Sequence, residues 1–312
     1  MPGEETIFDD VFRTIAEKMP RLLIPLINLT FGTEYPEDVP LTTARNEHMT
    51  KSGKVITDSV LLLDGVSYHV ECESKAGNVM VMVHRMLEYD FAIAFEKSMS
   101  ENKAVLQLPS SCVVYLRHTR NTPDCLRLTI RNAEGDTIPY RVPVVKAQAF
   151  SMEKIFENRL LLLLPFYILR HQPRFPQIEA DPEARESFFS EMHSLMLGLD
   201  RSAIAAEAEK TYQYADLCKL AARVADYLLE NYEQTREGVK SIMRGKVLEL
   251  WSEQLLREGR EEGLAEGREE GQIISFAGLV RDELLTLPEA AKRCGMTPET
   301  FAERAQALGC PV

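Results

Sequence analysis

The sequence predicts a mixed α/β domain followed by a helical C-terminal extension. Up to about residue 150, short apolar runs bounded by turn residues alternate with stretches of helical periodicity. Asp64-Gly65 separates two of the apolar runs, which indicates a β-hairpin because Gly supplies the positive φ of a tight turn. After Ser151 the strand pattern disappears and the chain becomes rich in Ala, Leu and Glu.

The N-terminal part is predicted to begin with a helix over residues 6–31, interrupted at Pro20. A second helix is predicted from about Val79 to Lys97. Its apolar stripe is expected to contain Met82, Met86, Tyr89 and Ile93. The strands of a mixed sheet are predicted at about 43–49, 54–63, 66–74, 104–118, 125–132 and 138–147.

The C-terminal half is predicted to be helical. Residues 151–170 read as an apolar helix pair, and 183–256 as further helices. Beyond them, glycine recurs every fourth residue between Arg and Glu, at Gly259, Gly263, Gly267 and Gly271. On a helix these glycines would form a slowly winding groove that another helix could approach, and the alternative is a charged, fraying linker. The predicted organisation is 1–150 as the α/β core, 151–256 as a helical extension packed on it, 257–275 as a Gly-spaced charged helix or linker, and 276–312 as a small helical tail.

The tail has the spacing of a helix-turn-helix. Gly295 falls in the turn, and Thr297 is expected to cap a second helix that begins at Pro298. The first turn of that helix is acidic, whereas helices that read DNA bases present Arg, Lys, Asn or Gln. The tail is therefore expected to be a packing or interaction module.

Composition limits the classes of function. The net charge of −12 argues against non-specific coating of nucleic acid, although residues 117–141 are locally basic. The six cysteines have no zinc-site spacing and are expected to be reduced thiols. No apolar run is long enough to cross a bilayer, and the N-terminus has no secretory signal, so we expect a cytoplasmic protein without membrane partners. Neither a Walker loop nor a GxGxxG motif is present, which argues against a nucleotide cofactor.

The most informative feature is an acidic strand after the Asp64-Gly65 turn. Because side chains alternate on a strand, one face should be polar and the other should carry Val70 and Cys72. The polar face would contain His69, Glu71, Glu73 and Lys75. Asp58 lies on the partner strand, and gathering like charges is costly unless a cation lies between them. Carboxylate oxygens suit Mg²⁺ or Mn²⁺, and the alternative is a solvated strand face.

Several segments together resemble the PD-(D/E)XK nuclease superfamily. They are Arg45-Asn46-Glu47-His48, His69-Val70-Glu71-Cys72, Arg85-Met86-Leu87-Glu88-Tyr89-Asp90, Leu160–Tyr167 and the Gly-spaced helix. Within the superfamily, the chain more closely resembles the branch of Rpn-like recombination-promoting nucleases, which is associated with transposases. The resemblance implies a restriction-endonuclease-like core over 1–150. It also implies a metal-dependent DNA endonuclease that hydrolyses phosphodiesters with Mg²⁺ or Mn²⁺ and little sequence selectivity.

The resemblance also assigns roles within the site. Asp58 and Glu71 would be the two metal-binding acids, with Glu73 and the Cys72 carbonyl completing the metal shell. The third position is usually Lys, or Gln in this branch, and here it is Glu73. Glu73 or Lys75 would orient the attacking water, and Lys75 would reach it only if the strand continues to residue 75. An acid of the first helix, Glu5, Asp9 or Asp10, would support the site from further out.

The partner expected from these assignments is DNA. The arginines expected to contact its phosphates are Arg85, Arg117, Arg120 and Arg127. A solvated hairpin is the alternative for the last three, and pairing with Glu88 is the alternative for Arg85. Two other interpretations of the chain stay open: a catalytically weakened nuclease-fold protein that binds DNA or self-assembles through its C-terminal helices, and a structural carboxylate cluster neutralised by arginines.

Overall fold

The computed structural model describes residues 4–44, 47–50, 53–102, 104–204, 208–282 and 284–312. The chain divides into two compact units, Met1–Leu248 and Glu249–Val312. The predicted α/β class is confirmed by a mixed sheet and abundant helix in the first unit. The predicted division of the chain into four parts stays a prediction.

The first unit contains a six-stranded mixed sheet with the order β1-β4-β5-β6-β8-β7. Its strands are β1 (Leu41–Thr43), β4 (Ser59–Leu63), β5 (Val66–Glu73), β6 (Ser110–Tyr115), β7 (Cys125–Arg131) and β8 (Thr137–Lys146). The β4–β5 and β7–β8 pairs are antiparallel, whereas β6 runs parallel to both β5 and β8. A separate two-stranded sheet pairs β2 (Glu47–Thr50) with β3 (Gly53–Ile56).

The predicted hairpin is present between β4 and β5. Asp64 and Gly65 have φ values of 46° and 80°, as a two-residue hairpin turn requires. The register pairs Leu63 with Val66 and Ser59 with Val70.

The prediction of one strand over 54–63 is wrong, because the chain changes partners at Thr57 and Asp58. Residues before this point pair within the small β2–β3 sheet, and residues after it pair with β5. Asp58 therefore lies between the hydrogen-bond ladder of β2 and β3 and the ladder of β4 and β5. The predicted strand over 66–74 ends at Glu73, where β5 gives way to a bend.

The first unit also contains α-helices and 3₁₀ helices. The predicted break at Pro20 is confirmed by a 3₁₀ turn between the first two helices. Residues 151–170 contain one α-helix and then a 3₁₀ helix, Leu161–Arg174, rather than two α-helices. Pro165 inside this segment cannot donate an α-helical hydrogen bond. The α-helices are α1 (Glu4–Lys18), α2 (Ile24–Phe31), α3 (Val79–Glu101), α4 (Met152–Glu157), α5 (Phe175–Ala180), α6 (Pro182–Ile204) and α7 (Ala208–Leu228).

Helix α3 packs on one face of the sheet. Its N-terminus is capped by the Asn78 side chain, which accepts from the main-chain N–H groups of Met80 and Val81. The core between α3 and the sheet contains Met82, Val83, Met86, Val113, Tyr115, Leu126, Tyr140 and Val142. Met82, Met86 and Ile93 of the predicted stripe are buried, Tyr89 is half-buried, and the buried face also includes Asp90.

The second unit has its own small core. Helix α8 (Glu233–Arg281) includes residues 257–275, so the Gly-spaced segment is helical in this structure. Helices α9 (Leu287–Arg293) and α10 (Pro298–Ala307) follow. The predicted cap is confirmed, since the Thr297 side chain accepts from the N–H of Thr300. The core of this unit contains Ile273, Ala277, Ala290, Ala291, Phe301 and Ala305.

Within the described residues, no helix is long and apolar enough to cross a membrane.

Candidate metal centre

Asp58 and Glu71 lie opposite each other where β4 separates from β5. The last paired residue of β4 is Ser59, opposite Val70, so the same register carried one step further brings Asp58 to Glu71. The main-chain N–H of Asp58 donates to Glu71 Oε1 (3.0 Å), and the N–H of Cys72 donates to Asp58 Oδ2 (2.9 Å). One oxygen of each carboxylate is thus held by a main-chain N–H group at or next to the other acid.

The second oxygen of each carboxylate faces an arginine. Arg13 on α1 donates to Asp58 Oδ1 at 3.3 Å. Arg85 on α3 lies 3.7 Å from Glu71 Oε2 and also pairs with Glu73. The Nε atoms of both arginines are buried and have no hydrogen-bond partner within the described part of the chain. Two positive groups therefore border the acid pair, and each retains an unused donor.

The acid pair is electrostatically unfavourable when both groups are charged. Burial raises the pKa of Asp58 to about 7, and the charge of Glu71 adds to this effect. The N–H of Cys72 and the guanidinium of Arg13 oppose the rise, whereas Asp9 on α1 contributes to it. Asp9 thus acts on the site through its charge.

Sequence reasoning missed Arg13 and Asp90 as parts of this region. Asp90 is fully buried on α3 and accepts hydrogen bonds from Ser111 (2.7 Å) and Tyr140 (2.6 Å). His69 lies between Asp90 and Glu71, with one ring nitrogen close to each carboxylate. A carboxylate at a core position of an amphipathic helix was the available signal for Asp90. Arg13 gave no comparable signal.

Burial opposes the charging of His69, but its hydrogen bonds to Asp90 and Glu71 outweigh that effect and raise its pKa to about 9. The positive imidazolium is thus favoured between the two carboxylates.

The remaining predicted catalytic residues occupy different places. Glu73 lies on the same face of β5 as Glu71, is partly exposed and is paired with Arg85. Lys75 is exposed beyond the end of β5, so its predicted position on the strand face is wrong, since the strand gives way to a bend. The Cys72 thiol is buried, and burial together with the nearby charges of Asp58, Asp9 and Glu71 raises its pKa well above the usual value, which leaves it a thiol.

The predicted DNA-contacting arginines do not gather at the acids. Arg117 lies over the ring of Phe8 and donates to Gln172, and Arg120 is exposed after β6. Arg127 is exposed on β7, between residues whose side chains pack against α3. By strand alternation it lies on the sheet face opposite α3, whereas Glu71 and Glu73 lie on the α3 face. Of the four arginines, Arg85 is the one that this structure brings to the acids.

The oxygen atoms around Asp58 and Glu71 determine which cation this site could bind. Among the described residues, no three His, Cys, Asp or Glu side chains converge as a metal site. The available set is two carboxylates and the Cys72 carbonyl, which points toward Asp58 because the N–H of the same residue does. Mg²⁺ typically binds to one or two carboxylates and keeps several waters, so this set of hard oxygens fits it.

Comparison with protein-family models, with curated proteins and with solved structures gave no match. The resemblance to PD-(D/E)XK nucleases therefore rests on the sequence motifs and stays a prediction. Part of its first segment, Arg45 and Asn46, lies outside the described residues.

Proposed function

We propose that this protein is a metal-dependent endodeoxyribonuclease of the PD-(D/E)XK type, with a restriction-endonuclease-like core. The observation that carries the proposal is the Asp58–Glu71 pair. Two buried carboxylates share a strand junction, and their mutual repulsion contributes to the raised pKa of Asp58. Arg13 offsets only part of this cost, since the pKa of Asp58 stays raised beside it, which favours a functional reason for the pair.

Asp58, Glu71 and the Cys72 carbonyl would hold Mg²⁺ or Mn²⁺. When bound, the metal would lower the pKa of a coordinated water and neutralise charge on the phosphate in the transition state. The main-chain N–H groups that bind Asp58 Oδ2 and Glu71 Oε1 keep both carboxylates oriented. This pre-organisation reduces the reorganisation required during the reaction.

Glu73 and Arg85 would act on the substrate side of the acid pair. Glu73 lies two residues beyond Glu71 on the same strand face and is partly exposed, so its carboxylate can accept a proton from the attacking water. Arg85 would move from Glu73 to a DNA phosphate, and its unused Nε–H supplies a second donor for a phosphate oxygen. Arg13 is suited to the same task from the α1 side.

The test is the nicking of supercoiled plasmid DNA with Mg²⁺ or Mn²⁺. We expect the unmodified protein to nick the plasmid, and Asp58→Ala and Glu71→Ala to abolish nicking. Asp216→Ala is the matched control, because Asp216 is an exposed carboxylate paired with Lys219 and should leave nicking unchanged. Nicking that survives both site substitutions would contradict the proposal.

A second candidate function is supported by the arginines themselves. Arg13 and Arg85 already pair with the acids, and Glu73 replaces the usual Lys or Gln. This arrangement favours a nuclease-fold protein that no longer cuts and acts by binding DNA. DNA binding without nicking, together with no heat of Mn²⁺ binding in calorimetry, would favour this candidate over the first.

A further inference from the structure

A buried chain of hydrogen bonds runs from Glu71 into the interior of the first unit. His69 Nε2 lies 2.9 Å from Glu71 Oε1, and His69 Nδ1 lies 2.7 Å from Asp90 Oδ1. Both ring nitrogens therefore face carboxylate oxygens. His69 and Asp90 are completely buried, so water does not compete for these bonds.

Asp90 is held from three sides. Ser111 on β6 donates to the same oxygen as His69, and Tyr140 on β8 donates to the other oxygen. The network thus joins α3 to three neighbouring strands and leaves neither oxygen of Asp90 without a donor. This environment fixes the carboxylate, and the carboxylate in turn fixes the plane of the His69 ring.

Folding stability alone does not account for this network. Well-packed apolar residues of similar volume usually stabilise a core at least as much as a buried ionic group does. The surrounding core positions on α3, including Met86 and Ile93, are apolar. A polar group at Asp90 therefore points to a task for the residue that it orients.

The residue that His69 orients is Glu71. Its Oε1 accepts from both His69 and the main-chain N–H of Asp58, which leaves Oε2 directed to the side where Arg85 lies. Without the ring, Oε1 would keep only the main-chain donor and the side chain could rotate. We infer that His69 and Asp90 are positioning residues, which lock Glu71 so that Oε2 faces a divalent cation; this inference rests on the proposed function.

The experiment measures Mn²⁺ affinity by titration calorimetry on the full chain. His69→Phe keeps a ring and removes both donors, and Asp90→Asn keeps the size of the side chain while removing its charge. We expect His69→Phe to weaken Mn²⁺ binding about 10- to 100-fold, the usual effect of losing a partner that orients a ligand. Asp90→Asn should also weaken Mn²⁺ binding, but by a smaller factor. If His69→Phe does not fold, the Mn²⁺ affinity of Asp90→Asn alone tests the positioning role.

His171→Gln is the matched control. His171 is another buried histidine of the first unit and bonds to Glu191 at 3.1 Å, so its loss should lower thermal stability while Mn²⁺ affinity stays unchanged. Equal Mn²⁺ affinity in unmodified protein and both site variants would overturn the positioning role and leave the proposed function standing. A loss in His171→Gln as large as in the site variants would likewise overturn it. Absence of Mn²⁺ binding by the unmodified protein would overturn both proposals.

Discussion

Asp58 is a buried carboxyl group whose surroundings oppose its ionisation. Burial and the charge of Glu71 both favour its neutral form, and they outweigh the Cys72 N–H and Arg13, which favour the charged form. A group whose pKa is higher in the folded than in the unfolded state stabilises the fold at low pH. That stabilisation is lost as the pH rises through the folded-state pKa.

We therefore expect Asp58→Asn to flatten the pH dependence of stability. The pKa of Asp58 is about 7 in the folded protein against an ordinary value of 3.8, so stability should fall between about pH 4 and pH 7. The full loss is about 4 kcal/mol, from about three pKa units at 1.36 kcal/mol each. Urea denaturation at pH 4.5 and 7.5 should show this fall in the unmodified protein and a smaller one in Asp58→Asn. An equal fall in both proteins would contradict the prediction, and Asp216→Asn serves as the control.

Glu73 and Lys75 give a second test at the residue scale. Glu73 lies on the strand face with Glu71, whereas Lys75 is exposed beyond the strand. If Glu73 takes the proton of the attacking water, Glu73→Ala should slow nicking by about 10²- to 10⁴-fold, the usual contribution of general acid–base catalysis. Lys75→Ala should nick at the rate of the unmodified protein. A larger loss in Lys75→Ala than in Glu73→Ala would assign this role to the lysine.

At the scale of the element, the β4–β5 hairpin sets the register that brings Asp58 to Glu71. Its turn requires positive φ at both central residues, and Gly65 has a φ of 80°, where an added Cβ would meet no atom within 4 Å. Gly65→Ala should therefore lower the free energy of unfolding by about 1–2 kcal/mol through backbone strain alone. Gly77→Ala is the control, because Gly77 also has open space but is not among the positive-φ glycines. Equal stability of the two variants in thermal unfolding would refute this account of the turn.

The elements that could be predicted from sequence are those specified by neighbouring residues. The Asp64-Gly65 turn, the break at Pro20 and the Thr297 cap each follow from short-range chemistry and are confirmed. The alternation along β5 also placed Glu71 and Glu73 on one face, where both are within reach of Arg85.

What the sequence could not supply is long-range pairing. Arg13 is 45 residues from Asp58, and Tyr140 is 50 residues from Asp90, so no local pattern joins them. The break at Thr57–Asp58 depends on a competing ladder with β2, which periodicity does not reveal. The face on which Arg127 lies depends on β8 being inserted between β6 and β7.

At the scale of the whole molecule, net charge limits how the proposed DNA substrate could be bound. With a net charge of −12, affinity must come from a few local contacts rather than from a broad basic surface. Arg127 and Arg141 are direct cross-strand neighbours on the exposed face of the β7–β8 hairpin. Like charges placed directly opposite each other destabilise the strand pairing. This arginine-bearing face of the sheet lies opposite the face that carries Glu71 and Glu73.

DNA contacts should therefore be centred on Arg85 rather than on Arg127. Each phosphate contact contributes a slope of about −0.9 to the dependence of log K on log salt, because binding releases counterions. Arg85→Ala should make this slope shallower by about 1, and Arg127→Ala should leave it unchanged. Fluorescence anisotropy with a labelled duplex, in EDTA to prevent cleavage, measures both slopes. A shallower slope in Arg127→Ala with an unchanged slope in Arg85→Ala would place the DNA on the sheet face opposite the carboxylates, and hydrolysis at Asp58 and Glu71 would then be geometrically excluded.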